Sequence, residues 1–386
     1  MKVAVVTATR AEYGILRPLI FKLENDGDIE LQLLVTGTHL SEKYGATQVE
    51  IENDSIPIFA RIAILSEGNS ALSVSRTMAN ALVGFAEYFD KEKPACVIVL
   101  GDRTEMLGVS AAAMDAGIPI VHLHGGELTE GAVDDCVRHA ITKMSYLHFP
   151  STEVYRRRII QMGEEPARVF NVGALGVENI LHVPLLSEHD LRKELSIPSE
   201  TEIVSVTFHP ATMEAGNERA QTEAVIAAME EKKEYFYLIT KANADAGGDL
   251  VNELLEGFAS RSGKAKLVAS LGMRRYLSVV KYSKFVLGNS SSGIIEAPSL
   301  GTPTVNVGNR QKGRLMADTV INCEPTKEAI VEAMNKAEHM EHRCSYLYGD
   351  GKTSERILTI IKRIFGNQRA FPHKKFYDMT DEVRYE

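Results

Sequence analysis

Proton transfer near neutral pH needs an imidazole or a carboxylate held away from bulk water, and four residues in the first half of the chain, with an arginine beside them, have the types and spacing for it. Asp102 stands directly after VIVLG, His124 after the apolar run IPIVHL, and Glu127 after the pair Gly125-Gly126. Asp134 and Arg138 follow in GAVDDCVRHAITKM. If Gly131 opens a helix there, Val133, Val137, Ala140, Ile141 and Met144 form one apolar stripe, with Asp134 at its border one turn before Arg138. Asp135 and His139 face further out. An Asp four residues ahead of an Arg is also the pattern of a solvated ion pair on a helix surface, and that reading stays open. His122 lies inside the apolar run and reads equally as a hydrogen-bonded core residue, whereas His124, beside the glycines, reaches the strand end. In the second half His209, before Pro210, is placed in the same way.

A second set of residues suits an anion. GNSSSGIIEA puts Ser290, Ser291, Ser292 and Gly293 at the opening of a helix, where free N–H groups and the dipole favour negative charge. Serines cap helices in many settings, so this stretch alone is weak. Arg10, Arg103, Arg310 and Arg314 sharpen it, because they too fall at strand ends and guanidinium groups pair bidentately with phosphate oxygens. Neither GxGxxG nor GxxxxGK[ST] occurs at these turns, so a nicotinamide dinucleotide or a P-loop triphosphate lacks its signature. A diphosphate belonging to a nucleotide-linked sugar is the reading that remains.

The elements that must position these groups are short apolar runs alternating with amphipathic ones. KVAVVTA, LQLLVTG, ACVIVLG, IPIVHLH and YLHFPS in the first half, and IVSVTFH, YFYLIT, AKLVAS, KFVLGN and TPTVNVG in the second, read as strands of parallel sheets with crossover helices. Polar turns follow eight of them: TATRAEYG, GTHL, GDRTE, HGGE, HPAT, KANADAG, GNSSSG and GNRQKGR. The rhythm predicts an α/β protein of two Rossmann-like halves. The first spans 1–174 and carries the acid-base residues, the second spans 175–365 and carries the anion site, and 366–386 is a tail packing back across the cleft between them.

At 386 residues the chain is long enough for two cores. A hydrophobic fraction of 44% with 25% charged residues is ordinary for a folded globular chain. The net charge of −9 disfavours a nucleic-acid surface or an anionic membrane face. The four cysteines, Cys96, Cys136, Cys323 and Cys344, have no Cys-x-x-Cys spacing, and neither a zinc site nor a disulfide framework is expected. No run approaches a membrane span, and the amino terminus reads as a strand rather than a signal peptide. The expectation is a cytoplasmic homo-oligomer, dimer or tetramer, without metal or cofactor.

In TATRAEYG, GTHLSEKYG, GDRTEML, HGGELTEGAVDDCVRHAITKMSYLHF, FHPAT and GNSSSGIIEAPSLGTPTVNVGNRQKGR the sequence resembles the hydrolysing UDP-N-acetylglucosamine 2-epimerases of nonulosonic acid biosynthesis, over nearly its whole length. The resemblance implies a glycosyltransferase-B architecture of two facing Rossmann-like domains. It implies anti elimination of UDP to a glycal, then hydration to the free 2-epimer, of the N-acetylmannosamine type in the sialic acid branch. By residue match, Asp102 and Asp134 are the catalytic carboxylates, with Arg103 and Arg138 beside them and His209 pointing in from the second domain. Arg10, Asn243, Ser290, Ser291, Glu296, Arg310 and Arg314 match positions that hold UDP. One departure stands out: sialic acid members carry a glutamate before the double glycine, where this chain has His124. That looks like the legionaminic branch, whose sugar is a 2,4-diacetamido-2,4,6-trideoxy hexose linked to UDP or GDP. A non-hydrolysing epimerase and a glycosyltransferase or nucleotide-sugar binder share the expected fold.

Overall fold

The computed structural model describes the chain apart from residues 43–44, 69, 129–132, 211–215, 243–247, 270, 367–373 and 380–386, and apart from the Val133 side chain. It divides into two compact units, one formed by Met1–Asn179 with Gly349–Glu386 and the other by Ile180–Tyr348.

Both units are built on a six-stranded, all-parallel sheet. In the first, β1 (Lys2–Thr7), β2 (Glu30–Thr36), β3 (Ala60–Ile62), β4 (Cys96–Leu100), β5 (Ile120–Leu123) and β6 (Leu147–Phe149) lie in the order β3-β2-β1-β4-β5-β6. In the second, β7 (Ile203–Thr207), β8 (Phe236–Thr240), β9 (Ala265–Val268), β10 (Ser283–Gly288), β11 (Thr304–Val307) and β12 (Val320–Cys323) lie in the order β12-β11-β10-β7-β8-β9. Numbered within its own unit, the second sheet repeats the order of the first. In each, the strand order reverses beside the opening strand, between β1 and β4 and between β7 and β10, which is where open α/β sheets bind ligands. The ten expected strands are all present. The two that the sequence pattern missed, β3 and β12, are edge strands only partly buried, so ARI and VINC show no apolar run.

Successive residues of a strand face opposite sides of its sheet, and each side has its own core. On one face of the first sheet Val3, Val5, Leu33 and Ile98 pack under Tyr13, Leu16, Ile20 and Leu23 of the Arg10–Glu24 helix. On the other, Ala4, Val6, Val97 and Val99 pack under Phe85, Phe89, Met106 and Val109. In the second unit Val204, Val206, Phe285 and Leu287 pack against Val225, Met229, Val251 and Met334.

The Thr353–Phe365 helix, which the sequence reading runs into a domain ending at residue 365, belongs to the first unit. Its apolar stripe Ile357, Ile361 and Phe365 enters the core beside Leu16 and Ile20. Its polar groups fit the same place: Lys362 pairs with Asp26 at 2.9 Å and Asp28 at 2.7 Å, and Ser354 hydrogen-bonds the buried Glu178. An amphipathic stripe announces that it needs a partner but does not say which. No helix among the described residues is long and apolar enough to cross a membrane.

Ile361 is fully buried, so Ile361→Ala should lower the unfolding free energy of the first unit by about 2–5 kcal/mol. Denaturant titration checks this, and a loss under about 1 kcal/mol would place the helix outside that core.

Candidate active site

In the first unit the titratable residues gather at the carboxyl ends of β4, β5 and β6, and a buried arginine ties them together. Arg138, on the Val133–Met144 helix, is only 5% exposed. Its guanidinium binds the Asp102 carboxylate beyond β4, donates to the Glu127 carbonyl beyond β5 at 2.9 Å, and lies 3.5 Å from Asp135 on its own helix. Burial pushes the Asp102 carboxyl up, Arg138 opposes the shift, and the charges of Asp134 and Glu127 add to it.

The helix is rotated slightly from the expected stripe. Val137 and Ile141 are buried and Met144 half-buried, but Ala140 is exposed and Thr142 is buried in its stead. Arg138 and Thr142 form the ridge that meets β5, with the Thr142 hydroxyl within reach of the Arg138 carbonyl (3.0 Å) and His122 Nδ1 (3.2 Å). It is therefore Asp135, three residues before Arg138, that pairs with it. Asp135 also lies 3.5 Å from His139. Asp134 is exposed on the helix's first turn and acts on Asp102 through its charge.

His122 and His124 have different roles. His122 is fully buried, donates from Nε2 to the Gly101 carbonyl at 2.8 Å, and is pushed down to about 3 by burial, so it stays neutral and fastens the β4 exit to β5. His124 sits in the left-handed region at φ +61°, a conformation that costs a non-glycine residue about 1 kcal/mol and concentrates at functional sites. Its Nδ1 lies 3.1 Å from Glu127 Oε1, which also accepts from Ser151 Oγ at 3.1 Å. An ionised Glu127 accepts from Nδ1–H, and that tautomer leaves the lone pair on Nε2, a buried atom with no hydrogen bond among the described residues. A base oriented by a carboxylate is the arrangement that proton abstraction requires. The following turn is fixed by Gly126 at φ +79°, where a Cβ would come within 2.5 Å of the Tyr155 carbonyl, and Arg158 binds the Gly126 carbonyl.

Two of the four arginines nominated for phosphate, Arg10 and Arg103, lie at strand exits of the same unit. Arg10 is exposed and paired with Glu50 at 2.8 Å, and Arg103 is paired with Glu105 at 2.6 Å. Between them in sequence is a residue the motif reading passed over, Glu12. It is buried, accepts the Ala8 N–H at 2.9 Å, and burial pushes it up to about 7 against the pull of Arg103. The spacing Thr9-x-x-Glu12 is a capping box, the one signal in the sequence that points to it.

In the second unit the anion candidates surround Asn289. Its side chain accepts the His209 N–H and donates to the His209 carbonyl, both at 2.8 Å, while its own carbonyl accepts from Gln311 at 2.9 Å and Arg310 at 3.2 Å. The exits of β7, β10 and β11 are thereby joined, and Ser290 and Ser291 lead into the Ser292–Leu300 helix. Gly293 N–H already bonds to the Ser290 carbonyl at 3.1 Å, and the Ser292 hydroxyl accepts from Tyr276 at 2.6 Å. Burial pushes the Glu296 carboxyl up, with Ser292 and Arg314 among the groups that oppose it. Asn243 lies outside the described residues. Asn289 and Gln311, buried neutral amides, carry no signal that the residue pattern could have singled out.

The Glu12 carboxyl has a folded value of about 7 against an ordinary 4.5. Its protonated form is the stable one in the fold, so the stability it contributes is complete below 4.5 and is lost as pH rises towards 7 and beyond. Glu12→Gln should remove that loss. Unfolding free energies of the two proteins should nearly coincide at pH 5 and diverge by pH 8 in favour of the variant, by up to about 3 kcal/mol. Parallel pH profiles would rule the shift out.

The chain matches the family model described as UDP-N-acetylglucosamine 2-epimerase over residues 21–362. It is 40% identical to the GDP/UDP-N,N'-diacetylbacillosamine 2-epimerase (hydrolyzing) of Campylobacter jejuni, covering 98% of this chain and 99% of that protein. It is 38% identical to polysialic acid biosynthesis protein P7 of Escherichia coli over 98% of both. Among solved structures, UDP-GlcNAc 2-epimerase from Neisseria meningitidis bound to UDP-GlcNAc superposes with a TM-score of 0.80 at 19% identity, covering 94% of this chain and all of that one. The two Rossmann-like sheets are thus those of the glycosyltransferase-B type of fold, and the chain belongs to the UDP-N-acetylglucosamine 2-epimerase family.

Proposed function

We propose that this protein is a hydrolysing 2-epimerase that acts on a UDP- or GDP-linked 2,4-diacetamido-2,4,6-trideoxy hexose, releasing the nucleoside diphosphate and the free 2-epimer. The observation that carries the reading is the His124–Glu127 pair, which leaves a buried imidazole nitrogen ready to take a proton, beside the Asp102 carboxyl seated on Arg138. The chemistry asks for two such groups. One removes the proton from carbon 2 as the bond from carbon 1 to the diphosphate breaks, the phosphate oxygen keeping the electron pair, and a double bond forms between carbons 1 and 2. Water then adds its oxygen to carbon 1 while a proton returns to carbon 2 from the opposite face, and the enzyme takes up the second water proton.

His124 and Asp102 are assigned these two roles. Glu127 and Arg138 orient them, and the charge of Asp134 helps keep Asp102 protonatable. The leaving diphosphate is assigned to the Ser290–Ser291 turn with Arg310 and Arg314, donors of the kind that stabilise developing negative charge. The choice of sugar rests on the name carried by the C. jejuni relative. The match to the family described as UDP-N-acetylglucosamine 2-epimerase, with 30% identity to the Neisseria meningitidis protein of that name, makes UDP-N-acetylglucosamine the rival substrate.

A panel of UDP- and GDP-linked 2-acetamido sugars, assayed for nucleotide release with the product identified by proton NMR in heavy water, tests the proposal. Free nucleotide, deuterium at carbon 2 and preference for the diacetamido sugar are expected. A product still linked to its nucleotide would make the enzyme an isomerase instead. His124→Gln and Asp102→Asn should each lower kcat by about 10²- to 10⁴-fold with nucleotide affinity little changed. Wild-type turnover in either variant removes that residue from the mechanism.

A further inference from the structure

One buried charge cluster in the first unit takes no part in the chemistry above. Glu164, just after the Glu153–Gln161 helix, is 1% exposed, and its carboxylate accepts from Lys143 at 2.6 Å, Lys374 at 2.7 Å and His148 at 3.1 Å. Burial by itself would raise this carboxyl, but the three partners outweigh it and hold the group at about 2. Lys374 comes from the described C-terminal stretch 374–379. Its ammonium also donates to the Lys143 carbonyl at 2.6 Å and the Ser145 carbonyl at 3.0 Å, at the end of the Val133–Met144 helix. Three donors thus meet three acceptors.

The flanking residues are seated as closely. The Phe376 ring lies over Gly163, at φ +88°, where a Cβ would be 2.3 Å from the ring. Tyr377 N–H donates to the Gly163 carbonyl at 2.9 Å, and the Lys143 ammonium stands 5.0 Å from the Phe376 ring centre. Terminal stretches ordinarily fray unless something ties them down, and here the tie is a buried ion pair with a helix end.

We propose that Lys374 is a positioning residue for the reaction: from the C-terminal stretch it clamps the carboxyl end of the helix that carries Asp134, Asp135 and Arg138, and through Arg138 it sets the seat of Asp102. This rests on the functional reading above. The last carbonyls of a helix lack partners within it, and a cation there is favoured by the dipole. Arg138 lies five residues before Lys143, about 7.5 Å along the axis. A twelve-residue helix moves as a rod, so slack at its anchored end shifts the guanidinium against Asp102, and displacement by about 1 Å costs up to about 10²-fold in rate.

The test uses the full chain with Lys374→Met, which keeps the stem and loses the charge, and Lys374→Arg, which keeps the charge. Steady-state nucleotide release on the best substrate of the panel is measured beside hydrogen exchange over residues 137–145 and melting temperature. Lys374→Met should lower kcat about tenfold with KM within about twofold, and exchange in that segment should quicken about tenfold. Lys374→Arg should recover most of both. Wild-type kcat in Lys374→Met overturns the proposal, as does a loss of rate that only follows the unfolded fraction and that arginine does not recover. If the wild type releases nucleotide from no sugar, the functional reading fails by itself. Exchange then decides the clamp, unchanged rates in Lys374→Met overturning it.

Discussion

A guanidinium taken out of water must be surrounded by acceptors, because an unmet buried charge costs more than most single contacts return. Arg138 meets that demand with groups from three different elements: the β4 exit, the β5 exit and its own helix. Satisfying one cation therefore registers three segments, and the same contact that holds Asp102 in place opposes the rise in its proton affinity. Removing Arg138 would leave Asp102 without this counter-charge.

The second unit solves an analogous problem around a neutral side chain. Asn289 joins three strand exits through its amide and its carbonyl, with the Arg310 guanidinium among the donors to that carbonyl. The contrast fits the division of labour assigned to the two sheets. On the proposed function, proton transfer would draw on the carboxylates and imidazole at the first sheet, whose charge can change, and the diphosphate on the hydroxyls and arginines at the second.

Strands buried on both faces are written as plain apolar runs, which makes most of the twelve legible in the sequence; of the half-buried edges, AKLV of β9 still shows such a run, whereas β3 and β12 do not. Polar residues just after those runs were equally legible, and the structure places Asp102, His124, Glu127 and Arg138 in one connected network. The finer pairing was not. Whether Asp134 or Asp135 meets Arg138 depends on a helix rotation of a fraction of a turn, settled by what Thr142 finds on β5. Glu12 was hidden behind its capping motif, and Asn289 and Gln311 behind ordinary turn composition. The partner of the Thr353–Phe365 helix lay more than three hundred residues away in sequence, beyond the reach of any local pattern.

That last feature bears on how the molecule is made. The first unit is completed by chain that follows the whole of the second, so a ribosome has synthesised all of 180–348 before Ile357, Ile361 and Phe365 exist to fill the gap beside Leu16. The nascent amino-terminal sheet must wait with that face uncovered while the later unit closes its own core. A polypeptide cut short between residues 348 and 353 would carry a finished second unit attached to an exposed apolar surface, the kind of species that chaperones hold and proteases clear.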